Sequence, residues 1–166
     1  MSNFFGEDDK YMGNTDYFRV GKIPEGESVK IRPLSTAITG WEYWEETKPK
    51  RFRPKEKPRA AKELREFAAL LIWNYELQRV QIWSFHQMTI KNSLQKLIAT
   101  YGNPMNFDVL ITKMGTDKET RYYLKALPGT KCPKEAQELL EMQPLELELI
   151  YEGKDPWKEV VANEVA

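Results

Sequence analysis

The chain has 166 residues with 41% hydrophobic and 12% aromatic side chains, and its 25 basic and 25 acidic groups give a formal net charge of zero. Such a length suits one domain with a real core, and the apolar content excludes a disordered chain. A single cysteine, Cys132, excludes an internal disulfide, and with a single histidine, His86, it leaves no zinc set and no Cys–His catalytic pair.

Residues 1–16 are polar and acidic, with Glu7, Asp8 and Asp9 together, and read as a flexible arm without the apolar core of a signal peptide. No apolar run approaches the roughly 18 residues of a membrane span. With the lone cysteine, this predicts a cytoplasmic protein with no membrane partner. The first strand signal is "SVKIRPL", with Val29 and Ile31 on one face and Lys30 and Arg32 on the other. "AITGWEYWEE" is a second strand, with Trp41 and Tyr43 sharing a face opposite Glu42 and Trp44, and with Gly40 at a bulge or bend.

The stretch "KPKRFRPKEKPRAAK", residues 48–62, then gathers eight Lys or Arg against one acid, Glu56, and leaves 17 basic and 24 acidic residues elsewhere. Pro49, Pro54 and Pro58 argue against a regular ladder, so a long basic loop between strands is expected. "AAKELREF" after it is either a short helix or the lead into the next strand. "AALLIWNY" and "RVQIWSFH" form a hairpin across "ELQ". Pairing Tyr75 with Arg79 sets Trp73 opposite Gln81 and Leu71 opposite Trp83. Leu70, Ile72, Val80 and Ile82 are then the aliphatic core face, and Trp73 and Tyr75 lie on the opposite, available one.

Ile90, Leu94, Leu97, Ile98 and Tyr101 make one helical stripe, with Thr89 as N-cap and "GNP" at 102–104 as the stop. "NFDVLITKM" and "TRYYLKAL" are two further strands, and "PKEAQELLEM" is a short second helix opened by Pro133. Residues 151–166 are expected as a C-terminal tail. The pattern predicts a mainly β domain over residues 17–150 with one or two helices: a five-stranded Greek-key barrel of the oligonucleotide-binding (OB) type, carrying a long basic loop. An open α+β sheet with one helix packed on it is the alternative.

Catalytic signatures are missing. "GKIPEGES" lacks the ending of a phosphate-binding loop, and the carboxylates are scattered without a metal-binding arrangement, so no enzyme activity, metal or cofactor is expected. What remains is cations interleaved with aromatics. Lys48, Lys50, Arg51, Arg53, Lys55, Lys57, Arg59 and Lys62 surround Phe52, and Trp41, Tyr43 and Trp44 lie just before them. Cations follow phosphates and aromatic faces accept unstacked bases, so this pairing suits a single-stranded polynucleotide. Trp73 and Tyr75, near Arg79 at the hairpin tip, are candidates for an extended stacking platform. The competing reading is a protein-interaction module whose basic loop docks an acidic partner.

In "ITGWEYW", the basic loop, "LLIWNYELQRVQIWSF" and "QMTIKNSLQKLI", taken in that order, the chain resembles phage-encoded single-stranded-DNA-binding proteins over about residues 17–127. The resemblance implies an OB barrel that coats single-stranded DNA during replication, recombination and repair, in the cytoplasm of a bacterial host. It also implies binding roles for Trp41, Tyr43, Trp44, Trp73, Tyr75 and the loop cations. Recruitment of replication or recombination proteins through the C-terminal tail would follow as well. The chain departs from that pattern in two ways. It cannot hold the structural zinc of some relatives, and "KEVVANEVA" follows the tail-like "EGKDPW".

Overall fold

The computed structural model describes residues 16–59, 63–142 and 145–157. Eight strands run β1 (Tyr17–Phe18), β2 (Ser28–Pro33), β3 (Ile38–Glu45), β4 (Lys48–Phe52), β5 (Arg65–Asn74), β6 (Arg79–Phe85), β7 (Asp108–Met114) and β8 (Arg121–Leu127). Two α-helices are described, α1 (Met88–Tyr101) and α2 (Lys134–Met142), with 3-10 turns at Val20–Lys22 and Leu147–Glu152 among others. The expected N-terminal arm lies, up to residue 15, outside the described residues, as do Lys62 and residues 158–166 of the expected tail.

The strands form one mixed sheet in the order β1-β6-β5-β2-β7-β8, with β3 also paired to β5 and β4 to β3. β5 is the hub. One edge carries β6, while the other carries β3 along its first half and β2 along its last three residues. The mainly β class agrees with expectation, but the sheet is not closed into a five-stranded barrel. The outer edge of β6 is taken by β1, in parallel, instead of by β8.

The basic stretch differs from expectation too. Its first five residues are β4, an edge strand paired only with β3. Proline is tolerated on such an edge because the missing N–H would have faced solvent, so Pro49 fits opposite Trp44. Pro54 then opens a 3-10 turn. Gly40 is required by close approach rather than by a bend: a Cβ there would lie 2.0 Å from the Phe52 carbonyl oxygen.

The β5–β6 register is offset by one residue from the expected one. Asn74 pairs with Arg79, which leaves a four-residue loop over 75–78. The Asn74 side-chain oxygen accepts from the amides of Glu76 and Leu77 and so shapes that loop. A one-residue offset exchanges the faces of a strand. Leu70 and Ile72 therefore pack with Trp83 and Phe85, under Ile90 of α1. Leu71 and Trp73 pack with Val80 and Ile82, under Ala136, Leu147 and Ile150 of the C-terminal segment. Both faces of β5 are core, and Trp73 is 1% exposed.

The expected tail begins inside this second core. Tyr151 donates from its hydroxyl to the Thr39 carbonyl, and the Trp157 ring meets Tyr17 edge-on at 6.5 Å. Arg32 and Asp108 form a buried ion pair at 3.4 Å, and Arg32 also donates to the carbonyls of Thr130 and Met105. Tyr75 donates to the same Asp108 carboxylate at 2.7 Å.

Two expectations follow. Trp73→Ala should cost about 3–5 kcal/mol in denaturant unfolding, through the cavity it leaves. Trp73→Phe should cost much less, because the Trp73 indole N–H has no hydrogen-bond partner to lose among the described residues. Burial first, and then the Asp108 hydrogen bond, hold the Tyr75 phenol far above the ordinary 10.0, and burial raises Tyr17, Tyr122 and Tyr151 as well. Above pH 10 the unfolded chain therefore binds fewer protons than the folded one, so stability should be level below that pH and fall as pH rises beyond it. Melting of Tyr75→Phe beside the parent chain across pH 9–12, a window set by the ordinary value of 10.0, should show a shallower alkaline decline in the variant.

Candidate nucleic-acid interface

The β3–β4 hairpin presents two chemically different faces. Trp41 pairs with Phe52 and Tyr43 with Lys50, and Glu45 with Lys48, so these six share one face. Tyr43 and Phe52 stack at 5.8 Å and 17°, and the Lys57 ammonium sits 4.2 Å from the centre of the Trp41 ring. The Trp41 indole donates to the Pro54 carbonyl, which folds residues 53–57 back over it. Lys48 and Lys50 are exposed and take part in no ion pair among the described residues. Lys55 and Arg59 are also exposed.

On the other face, Arg51, Glu42 and Arg65 form one row across β4, β3 and β5. Glu42 is 4% exposed and accepts from Arg51 Nε at 3.3 Å and from Arg65 Nε at 3.2 Å. Arg51 also reaches Ser84 Oγ and lies 5.5 Å from the Phe67 ring, so it is a fixed structural cation rather than a mobile one. Arg53 lies 4.7 Å over the Tyr151 ring and ties the end of β4 to the C-terminal segment.

Trp44, 42% exposed, borders a cleft of about 510 Å³ between the hairpin and residues 17–22. Arg19, Lys22, Arg51 and Arg65 line it against a single carboxylate, Glu42. His86 lies on the same wall. Burial, with the nearby Arg65, lowers its imidazole below the ordinary 6.5, so it is neutral at pH 7. A second cavity of about 780 Å³ lies around Tyr75 and Lys30 and shares Tyr17, Phe18, Arg19 and Lys22 with the first. Arg19 and Lys22 border both, and the two cavities flanking residues 17–22 are the candidate groove.

The structure thus groups Trp41, Tyr43, Phe52, Lys48, Lys50 and Lys57 on one hairpin face and sets Trp44 and Arg51 on the cleft. Trp73 is removed from the expected platform, since both sides of its strand are covered. Tyr75 lines the second cavity with its hydroxyl held by Asp108 and the Lys30 ammonium 4.2 Å over its ring. Arg79 is paired with Asp16 at 3.2 Å. Arg19, Lys22, Lys30 and Arg65 were not singled out from sequence. The alternation "FRVGK" beside an aromatic pair, cations separated by small or apolar residues, was the available signal. Among the described residues, no three His, Cys, Asp or Glu side chains are grouped to hold a metal ion, and no helix is long and apolar enough to cross a membrane.

No family model, curated protein or solved structure matches the chain.

Glu42→Gln tests the arginine row. It leaves Arg51, whose side chain is 9% exposed, without its counter-charge, and unfolding free energy should fall by about 3–5 kcal/mol. The cleft loses its one carboxylate, so affinity for an anionic ligand, measured on the folded fraction, should not fall.

Proposed function

We propose that this chain binds single-stranded DNA with little sequence preference, and protects it during replication, recombination or repair without catalysing a reaction on it. The observation that carries the reading is the hairpin. It places an aromatic and lysine face on one side and, on the other, a cleft with four cations against one acid. Exposed lysines suit a flexible phosphate backbone, and Trp44 at the cleft mouth offers a ring to an unstacked base.

Connectivity supports the same reading. If β2, β5, β6, β7 and β8 are counted as five strands, α1 falls between the third and fourth and the hairpin lies in the connection between the first and second. In partly open oligonucleotide-binding barrels, that connection and the face of the second and third strands hold the nucleic acid. Arg65 and Ser84, which line the cleft, stand on that face here.

The test is fluorescence anisotropy with oligo-dT over a range of salt. Phosphate contacts from Lys48, Lys50, Arg19, Lys22 and Arg65 should give a log K against log[salt] slope near −3.5, at about −0.7 per contact. Replacing Lys22, Lys48 and Lys50 together by Gln should flatten it by about 2. Trp44→Ala should weaken every homopolymer by a similar factor, about 1–3 kcal/mol, and remove part of the tryptophan quenching. Equal affinity for duplex, or an unchanged slope in the triple variant, would reject the reading. Displacement of DNA-independent binding to an acidic polypeptide would favour the protein-docking alternative.

A further inference from the structure

The sheet has a second open margin, well separated in sequence from the hairpin. On the outer side of β2, β7 and β8, the register lines up Lys30, Leu110 and Lys125 in one row, Ser28, Thr112 and Tyr123 in the next, and Met114 with Arg121 in a third. The Ser28 and Thr112 hydroxyls meet at 2.6 Å, which fixes the side on which this set lies. Val29, Ile111 and Leu124 point the other way, into the core beneath α1. Tyr123 is 60% exposed, the most open aromatic described, and Met114 beside it is 43% exposed.

No acid stands among these eight positions, and Lys30, Arg121 and Lys125 form no ion pair among the described residues. Asp108, at the end of the same face, is buried and neutralised by Arg32. Arg121, Tyr123 and Lys125 follow at every second residue, roughly 6.8 Å apart along the strand. That spacing alternates charge, ring and charge at about the step of an extended nucleotide. The face also borders the cavity around Tyr75, which Ser28 and Lys30 line.

We infer that Tyr123, flanked by Arg121 and Lys125, is a second single-strand contact: a strand leaving the groove past Lys30 stacks a base on Tyr123 and lays its phosphates on the two cations. This rests on the single-strand reading above and extends its path. The charge, ring and charge at nucleotide spacing, next to the cavity around Tyr75, favour a polynucleotide; the exposed acids of residues 134–157 make a second copy the competing occupant.

The experiment compares oligo-dT of about six and about twenty nucleotides, one near the lower end of the roughly 4–16 nucleotides that an oligonucleotide-binding barrel holds and one beyond its upper end. Tyr123→Ala should weaken the longer oligomer about ten-fold and the shorter less than two-fold, Tyr123→Phe should restore binding, and Lys125→Gln should flatten the salt slope for the longer one by about 0.7. Unaltered chain photocrosslinked to iododeoxyuridine-substituted long oligomer should yield adducts on the tryptic peptide spanning 122–125. If the unaltered chain binds neither oligomer, the single-strand reading fails and takes this inference with it. If hairpin variants weaken both oligomers while Tyr123→Ala weakens neither and no adduct forms there, this inference alone is overturned. Loss of a dimer in sedimentation of Tyr123→Ala, with DNA binding intact, would make the face a contact between copies and also overturn it.

Discussion

One buried carboxylate ties the hairpin to the rest of the sheet. Glu42 stands between Arg51 and Arg65 in a row that crosses three strands, and it accepts a hydrogen bond from each. Opposite charges directly across a ladder are mutually favourable, and burial makes the arrangement intolerant of losing a member. The row joins β4, β3 and β5 by side chains in addition to the backbone ladder. Trp44 shares the face of this row and borders the cleft, while Trp41, Tyr43 and Phe52 face the other way. The row also removes Arg51 from the set of freely moving cations.

Much of the β architecture was legible from alternation and turn residues: every strand from Ser28 onward except β4 coincides with an apolar or alternating run, and both helices fall where expected, although α1 opens after Gln87 instead of Thr89 and leaves Ile98 and Tyr101 of its stripe exposed. What failed has local causes. Three prolines in residues 48–62 suggested a loop, yet only strands paired on both sides need every N–H, and β4 is paired on one. The β5–β6 register turned on whether the loop held three residues or four. Asn74, which looked like an ordinary strand residue, fixes it at four by capping the turn with its side chain.

Trp73 shows why aromatic strands are hard to assign from local sequence. With one face of β5 aliphatic and the other aromatic, an open platform was a coherent expectation. The deciding information lies more than sixty residues away, in Ala136, Leu147 and Ile150, which cover the aromatic face. No alternation within residues 68–86 encodes that cover. By contrast, Trp41, Tyr43, Trp44 and the lysines around them sit on one hairpin, so their proximity in sequence carried over to proximity in space, with Trp44 on the face opposite Trp41 and Tyr43. The cations that border both cavities, Arg19 and Lys22, were illegible for the opposite reason: they reach the hairpin only through the parallel pairing of the two-residue β1 with β6.

The cover itself constrains where a polyanion can run. Residues 134–157 carry seven acidic and two basic side chains, and most of those acids, Glu135, Glu138, Glu141, Glu146, Glu148 and Glu152 among them, are exposed. This acidic block lies over the middle of the sheet, so its field disfavours a polynucleotide there. The open margins on either side, the hairpin and the β2–β7–β8 face, hold cations instead. A chain that is neutral in total is therefore partitioned: acid over the hydrophobic cover and base along the exposed strands. Arg19 and Lys22 border both cavities and Lys30 borders the one around Tyr75, so on the single-strand reading they are the cations available between the two margins.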